Sequence, residues 1–119
     1  MRRQIRSVED QKAYEGSLKI HRLSHRWPRH EQINGIADQI RRSSKSICAN
    51  LAEGFGKQSH SKAEFKRYLS MAIGSADETK LWLQYAKDLG YLEAAEAEKL
   101  RQGYQIIAKM LSGLHQHWR

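Results

Sequence analysis

The 119-residue sequence has a single proline, a single cysteine and few of the valine, threonine and aromatic runs that β-strands use. Without further prolines, helices can extend on either side of Pro28 without a missing amide hydrogen. The shortage of strand-forming runs leaves little material for a sheet. Alanine, leucine, glutamate, lysine, glutamine and arginine dominate instead, and these residues favour helix. The composition therefore predicts an all-α fold.

Cys48, as the only cysteine, excludes an internal disulfide and any zinc site built on paired cysteines. A reducing compartment is the simplest interpretation of this usage. Residues 1–6 are basic but lack the apolar segment of a signal peptide. No apolar run approaches the roughly 18 residues of a membrane helix. We therefore expect a cytoplasmic protein that does not associate with membranes.

The positive charge is unevenly distributed along the chain. The net charge is +8, from 21 basic and 13 acidic residues. Residues 1–67 contain 15 basic and 7 acidic residues, whereas residues 68–119 contain 6 of each. An excess confined to one part of the chain is typical of proteins that bind nucleic acid or another polyanion. A solvated basic face that keeps the protein soluble is the alternative.

The spacing of apolar residues predicts four helices within a single domain at residues 1–119, with residues 1–8 as a flexible N-terminal segment. Short connections between successive helices favour an antiparallel, up-down four-helix bundle. The third and fourth helices repeat apolar residues at alternating spacings of four and three, which is the seam of a coiled-coil-like bundle. The predicted helices cover Glu9–Arg26, Ile36–Phe55, Ser61–Leu89 and Glu93–Trp118.

Several residues predict where these helices begin and end. Ser7 and Ser61 stand three residues before an acidic residue and resemble capping boxes. Gly90 is a predicted C-cap, since glycine tolerates the left-handed conformation found there. Gly54 and Gly56 are interpreted in the same way as stops for the second helix. Gly74 is interpreted as a point where two helices approach closely.

No arrangement of side chains in the sequence indicates catalysis. Nucleophile, base and orienting group are not placed together by any motif, and Cys48 is interpreted as a small buried hydrophobe. His21 and His25 form a permissible metal-binding pair, but neither Glu-x-x-His nor His-Glu-x-x-His occurs. We therefore predict a protein that is not an enzyme and has no metal or cofactor. An enzyme or metalloprotein is the least favoured alternative.

Basic residues of the second helix and of the turn after it are the main functional signal. Cations at such positions contact phosphates without reading sequence. Asn50 and Glu53 flank the apolar stripe of the second helix and are predicted to form a structural polar network. In an antiparallel hairpin Arg41 lies several turns from Lys62, so the basic residues need not form one continuous patch. The predicted nucleic-acid-binding residues are Arg41, Arg42, Lys45, Lys57, Lys62, Lys66 and Arg67.

The segment from Gln39 to Gly56, QIRRSSKSICANLAEGFG, is distinctive. It resembles the signature of the four-helix bundle protein family, also called the 23S rRNA intervening-sequence protein family. Three later segments, AIGS at 72–75, AKDLGYL at 86–92 and KMLSGL at 109–114, resemble the same family. The similarity covers about residues 9–116, although His21 and His25 stand where the family pattern favours apolar or aromatic residues.

This resemblance implies a bacterial four-helix bundle that assembles into a ring-like homopentamer. Some family members are encoded within intervening sequences of 23S rRNA genes. A related branch is the accessory variability protein of diversity-generating retroelements, which works with a reverse transcriptase and nucleic acid. The family has no agreed activity and provides no catalytic residues to transfer to this chain.

Two functional hypotheses follow from the sequence. The first is a non-enzymatic homo-oligomer that binds structured RNA, or RNA and DNA, through its basic surface. The second is a protein–protein scaffold or accessory subunit that docks on a partner such as a reverse transcriptase or a ribosome-associated protein, with the basic surface guiding the encounter.

Overall fold

The computed structural model describes residues 7–117, which form four α-helices and one short 3₁₀ turn. No β-strand occurs within this range, which confirms the all-α prediction. The helices are α1 (Val8–Ser24), α2 (Ile36–Lys57), α3 (Lys62–Asp88) and α4 (Ala94–His117), with the 3₁₀ turn at Arg29–Glu31 before α2.

Hydrogen bonds between α2 and α3 fix their relative direction. The hydroxyl oxygens of Ser43 and Thr79 lie 2.8 Å apart, and Ser75 donates to the Ser46 hydroxyl at 2.9 Å. Ascending positions on α2 therefore meet descending positions on α3, as in an antiparallel pair. Each helix packs against two neighbours, α1 closing the ring against α4, so the predicted up-down bundle is confirmed.

The core consists of one apolar stripe from each helix, at the three- and four-residue spacings of an amphipathic helix. The stripe of α3 that has the predicted alternating spacing of four and three runs from Phe65 to Ala86, and all of its residues are buried. Burying a large aliphatic or aromatic side chain contributes about 1.5–3 kcal/mol, so these stripes stabilise the bundle far more than its surface contacts do. The largest fully buried apolar side chains are Ile20, Ile40, Ile47, Leu51, Phe65, Leu69, Leu83, Tyr104 and Leu111.

The predicted capping serines stand at the beginnings of α1 and α3, and the predicted glycine stands at the end of α3. The Ser7 hydroxyl accepts the amide hydrogen of Asp10 at 3.0 Å, and the Ser61 hydroxyl accepts that of Glu64 at 3.1 Å. At the end of α3, Gly90 has a φ of 80°, in the left-handed region. The next amide, of Tyr91, donates to the Ala86 carbonyl at 2.8 Å, which completes a Schellman motif.

The structure changes several predicted boundaries. Helix α1 begins at Val8, inside the segment expected to be flexible, and ends at Ser24, before the predicted Arg26. The predicted stop at Gly54 and Gly56 is wrong, because α2 continues to Lys57. Gly54 is buried, and a Cβ built on it would lie 3.0 Å from the Cβ of Tyr68. The missing side chain lets α2 and α3 approach, rather than ending α2.

The close approach predicted at Gly74 is also wrong, because that glycine is exposed and a Cβ on it would meet nothing within 4 Å. Helix α1 instead approaches α4 at Gly16, where a Cβ would lie 2.7 Å from the Tyr104 hydroxyl. Residues 1–6 of the predicted flexible segment, and Trp118 at the predicted end of α4, lie outside the described residues.

Glu31 links the α1–α2 connection to the α3–α4 connection at one end of the bundle. Its carboxylate accepts the Ile36 amide hydrogen at 3.0 Å and the Tyr91 hydroxyl hydrogen at 2.7 Å. These two hydrogen bonds lower the pKa of the Glu31 carboxyl below its ordinary value. The rings of Trp27 and Tyr91 lie 6.1 Å apart beside this link.

Within the part of the chain that the structure describes, no helix is both long enough and apolar enough to span a bilayer.

Candidate nucleic-acid interface

The seven predicted basic residues occupy two separate regions of the bundle. Arg41, Arg42 and Lys45 lie in the first half of α2, and the other four surround the α2–α3 turn. At 1.5 Å per residue, about 18 Å of helix separates Lys45 from Lys57. The structure therefore does not bring the seven residues together as one surface.

The first group is joined by basic side chains from the end of α1. We call this surface the α1–α2 basic face; its members are His21, Arg22, His25, Arg41, Arg42 and Lys45. Burial lowers the pKa of His21 below its ordinary value. Electrostatic repulsion from Lys45, His25, Arg41 and Arg22 lowers it further. Cationic groups of two helices thus converge on one position.

Arg41 has a structural role within this face. Its Nη1 donates to the Ser24 hydroxyl at 2.9 Å, and its Nη2 donates to the Gln32 carbonyl at 3.2 Å. Ser24 is buried at the end of α1, so the guanidinium connects α2 to α1 and to the intervening segment. Arg41 therefore contributes a fixed positive charge, while its hydrogen-bonding capacity is partly used inside the protein.

Arg42 and Lys45 extend into solvent. The Nε of Arg42 lies 3.2 Å from Oδ1 of Asp38, and the Arg42 side chain is 72% exposed. This hydrogen bond holds the pKa of the Asp38 carboxyl below its usual value. An exposed ion pair of this kind is weak, so a phosphate can compete for the guanidinium. Lys45 is exposed and has no ion pair among the described residues.

His21 and His25 lie one helical turn apart and contact each other. Their Nε2 atoms are 3.2 Å apart, and their ring centroids are 4.7 Å apart. No group of three or more metal-ligating side chains occurs in residues 7–117. The surrounding Arg22, Arg41 and Lys45 further disfavour a cation at this pair, whereas an anion suits the same charges.

The second group, which we call the α2–α3 turn cluster, consists of Lys57, Lys62, Lys66 and Arg67. All except the half-buried Lys66 are exposed. Arg67 pairs with Glu64 at 3.3 Å, and its guanidinium carbon lies 5.1 Å from the centroid of the Tyr68 ring. These contacts partly neutralise the cluster, which sits at the far end of the bundle from Glu31.

The predicted polar network is present only around Asn50. Its side-chain amide donates to the Ser46 carbonyl at 2.9 Å and to the Ser46 hydroxyl at 3.1 Å. Ser75 of α3 bonds to the same hydroxyl, so the network joins two helices. Glu53 is exposed and does not join it, because it lies farther round α2 from the buried stripe than Asn50 does.

The profile of the 23S rRNA-intervening sequence protein family matches residues 9–113. The chain belongs to this family. A comparison with curated proteins finds no match. The chain is also similar to a crystal structure described as a protein with unknown function from the S23 ribosomal protein family of Bacteroides thetaiotaomicron VPI-5482. That structure has a TM-score of 0.81 and 28% sequence identity, covering 92% of this chain and 99% of the other.

Membership of the 23S rRNA-intervening sequence protein family confirms the resemblance given by the segment from Gln39 to Gly56. The family description refers to 23S rRNA and states no activity, so it assigns no role to any side chain. The interface described here is therefore built from the chain's own residues.

Sequence reasoning missed Arg22, His21 and His25 as members of the basic face, since it considered the two histidines as a permissible metal-binding pair and as a departure from the family pattern. Two features of the sequence could have identified these residues. An antiparallel hairpin places the end of α1 beside the beginning of α2, and residues four apart share one side of a helix. Applying both rules together would have placed His21 and His25 next to Arg41.

Proposed function

We propose that this chain is a non-enzymatic, homo-oligomeric cytoplasmic protein that binds structured RNA, or RNA and DNA, through the α1–α2 basic face. The observation that supports this proposal is the convergence of cationic side chains from α1 and α2 around His21. We assign it no catalytic residue, metal or cofactor.

The chemistry of this face suits a phosphate backbone. Arg22, Arg42 and Lys45 are exposed, and Asp38 is paired with one of them. Arginine can donate hydrogen bonds to two phosphate oxygens at once, and lysine contributes a point charge on a flexible side chain. Such contacts give affinity that falls steeply with salt and carries little sequence preference.

Charge reversal tests the assignment. In the double variant Arg22→Glu/Lys45→Glu, we expect the affinity for a labelled RNA hairpin to fall at least tenfold at 0.1 M salt. Each lost phosphate contact should also reduce the log–log salt slope by about 0.7–0.9. Fluorescence anisotropy at four salt concentrations measures both quantities. Arg41 is left intact, because it connects α1 to α2.

Lys87→Glu/Lys109→Glu is the matched control, since it changes the net charge equally on exposed positions of α3 and α4. It should retain near-wild-type affinity. If both double variants weaken binding equally, only net charge matters and the interface is wrongly placed. A loss confined to Lys57→Glu/Lys62→Glu would move the interface to the α2–α3 turn cluster.

A second surface supports the homo-oligomer and the alternative of a protein–protein scaffold. We call it the α3 apolar face: Leu81, Trp82, Tyr85 and Leu89. Leu81, Tyr85 and Leu89 are 50%, 49% and 52% exposed, and the Trp82 and Tyr85 rings lie 5.7 Å apart. Large apolar side chains clustered in solvent are typical of surfaces that another protein covers.

The charge distribution favours a second copy of the chain as the occupant of the α3 apolar face. Residues 68–119 carry equal numbers of basic and acidic residues, so copies meeting through α3 do not repel one another. Contacts through residues 1–67 would bring two positive surfaces together. Assembly through α3 therefore leaves the basic face available to nucleic acid.

Sedimentation velocity tests this assembly. The wild-type protein should sediment as an oligomer, a pentamer if the implied ring is correct, and Leu81→Glu/Tyr85→Glu should shift it to monomer. The control Lys87→Glu changes the net charge by the same amount at an exposed position of α3 outside the apolar face. If the wild type is monomeric at 100 μM, the surface is left for a different protein, such as a reverse transcriptase or a ribosome-associated protein.

A further inference from the structure

The proposal above assigns no phosphate contact to the two histidines of the α1–α2 basic face. We propose that His21 and His25, with Arg22 and Lys45, form a phosphodiester-binding site in which binding of the phosphate is coupled to uptake of a proton. This inference rests on the proposed nucleic-acid function and adds two binding residues to it.

The contact between the two imidazoles limits how many protons they hold. Their Nε2 atoms are 3.2 Å apart, a distance that accommodates one hydrogen between two nitrogens. Two neutral rings satisfy this arrangement, one donating and the other accepting, and so does a singly charged pair, whereas two charged imidazolium rings do not. If both Nε2 atoms carry hydrogens, the donors face each other and the contact must open.

The surroundings of His21 also disfavour its charged form. The charged and titratable groups that face it are Arg22 on α1, His25 just after α1, and Arg41 and Lys45 on α2. Arg41 cannot turn away easily, because its guanidinium is bound to Ser24 and Gln32. The Nδ1 atom of His21 is enclosed and has no hydrogen-bond partner in the described structure. The Nε2 atom is therefore the one placed to act on a ligand.

A bound phosphate oxygen instead favours the charged form of the histidine pair. It accepts hydrogen bonds from both Nε2–H groups at once, and its negative charge offsets the repulsion from Arg22 and Lys45. The added proton comes from solvent and stays on an imidazole, and no covalent bond of the nucleic acid changes. Binding then raises the pKa of the histidine pair, so affinity must increase as the pH falls.

The pH dependence of nucleic-acid affinity tests the inference. Fluorescence anisotropy is measured with an RNA hairpin and a DNA hairpin of the same sequence, from pH 5.5 to 8.0 at constant ionic strength. A rise of one pKa unit on binding corresponds to a tenfold change in the equilibrium constant. We expect affinity to increase about five- to tenfold between pH 7.5 and 5.5 with both hairpins, since both present the same phosphodiester.

Histidine variants assign the effect to the pair. His25→Asn changes an exposed residue and should fold normally, and it should remove most of the pH dependence; His21→Asn/His25→Asn should remove the rest. The triple variant His60→Asn/His115→Asn/His117→Asn is the control, and it should keep the wild-type slope. NMR of the histidine rings should show the His21 pKa moving upward when the RNA hairpin is added.

The possible results separate the two proposals. Affinity that does not change with pH, or a slope that survives in His21→Asn/His25→Asn, overturns the inference and leaves the nucleic-acid function standing. Failure to bind either hairpin at any pH and at low salt overturns both. A slope lost only in the triple variant places the proton uptake at other histidines, which also overturns the inference.

Discussion

Glu31 shows how one side chain can organise an end of the bundle. It accepts hydrogen bonds from the first residue of α2 and from Tyr91, which follows α3. Glu31 therefore links the α1–α2 connection to the α3–α4 connection, although Glu31 and Tyr91 are 60 residues apart in sequence. Since hydrogen bonds to a carboxylate stabilise its charged form, the folded protein prefers Glu31 ionised.

Glu31→Gln should lower the free energy of unfolding by about 1 kcal/mol at pH 7, because the amide cannot accept hydrogen bonds at both positions. The folded state lowers the Glu31 pKa from its ordinary 4.5. Its stabilising contribution is therefore complete above that value and is lost as the pH falls through the lowered pKa. Urea unfolding at pH 7, 4.5 and 3 should show the difference between variant and wild type shrinking in acid.

Glu98→Gln is the control for this measurement, because Glu98 is 55% exposed and its contacts, with Arg101 and Gln102, lie at the surface. It should change stability little at any pH. A difference for Glu31→Gln that grows in acid would contradict the assigned role.

At the scale of the helices, the sequence predicted correctly those helix ends that depend only on neighbouring residues. The caps at Ser7 and Ser61 and the αL residue Gly90 need only neighbouring backbone, and all three were predicted correctly. The roles of Gly54 and Gly74 depend on which side of a helix meets a neighbour, and both were predicted wrongly. Gly54 continues the buried Ile47–Leu51 spacing, which was the available signal, whereas Gly74 lies off the α3 stripe.

The two glycines therefore respond differently to the same substitution. Gly74→Ala should raise the free energy of unfolding by about 0.5–1 kcal/mol, because alanine favours helix and the new methyl group meets open space. Gly54→Ala should gain less or lose stability, since its methyl group presses on Tyr68 at 3.0 Å. Thermal and urea unfolding of both variants measure the comparison. Equal stabilisation by the two substitutions would show that α2 and α3 are packed less closely than described.

Across the whole molecule, the four interfaces (seams) between neighbouring helices differ in how closely they pack. Helices α2 and α3 share buried polar contacts at Ser43 and Thr79 as well as apolar packing. The seam between α1 and α4 contains a groove of about 240 Å³, where Gly16 and Gly103 contribute no side chains. The unpartnered Tyr104 hydroxyl is enclosed beside this seam. Helix α1 is therefore the least firmly held part of the core.

Hydrogen exchange should reveal this difference. We expect the central amides of α1 to exchange faster than those of α2 and α3 under native conditions, because α1 contributes only Ile20 to the largest fully buried apolar side chains. Mass spectrometry of peptides covering each helix gives the order. Exchange of α2 or α3 ahead of α1 would contradict the proposed ranking of the seams.

The order of the basic residues along the predicted helices indicated that they need not form one patch, but it did not show which other side chains join each group. Lys45 and Lys57 are close in sequence, yet a helix carries them about 18 Å apart. Arg22 is farther from Lys45 in sequence, but the turn after α1 brings the two onto one face. Counting charges along residues 1–67 located the excess, and the packing of α1 against α2 showed that Arg22 and the histidines join the first group.

The up-down topology has a practical consequence for tags and reporter dyes. Because the chain crosses the bundle four times, Ser7 and His117 lie at the same pole as the α2–α3 turn. Arg22, His25 and Arg41 lie toward the opposite pole. A dye or affinity handle attached at Ser7 or His117 is held away from the α1–α2 basic face but close to the α2–α3 turn cluster. A handle that interferes with nucleic-acid binding would therefore indicate which pole makes the contact.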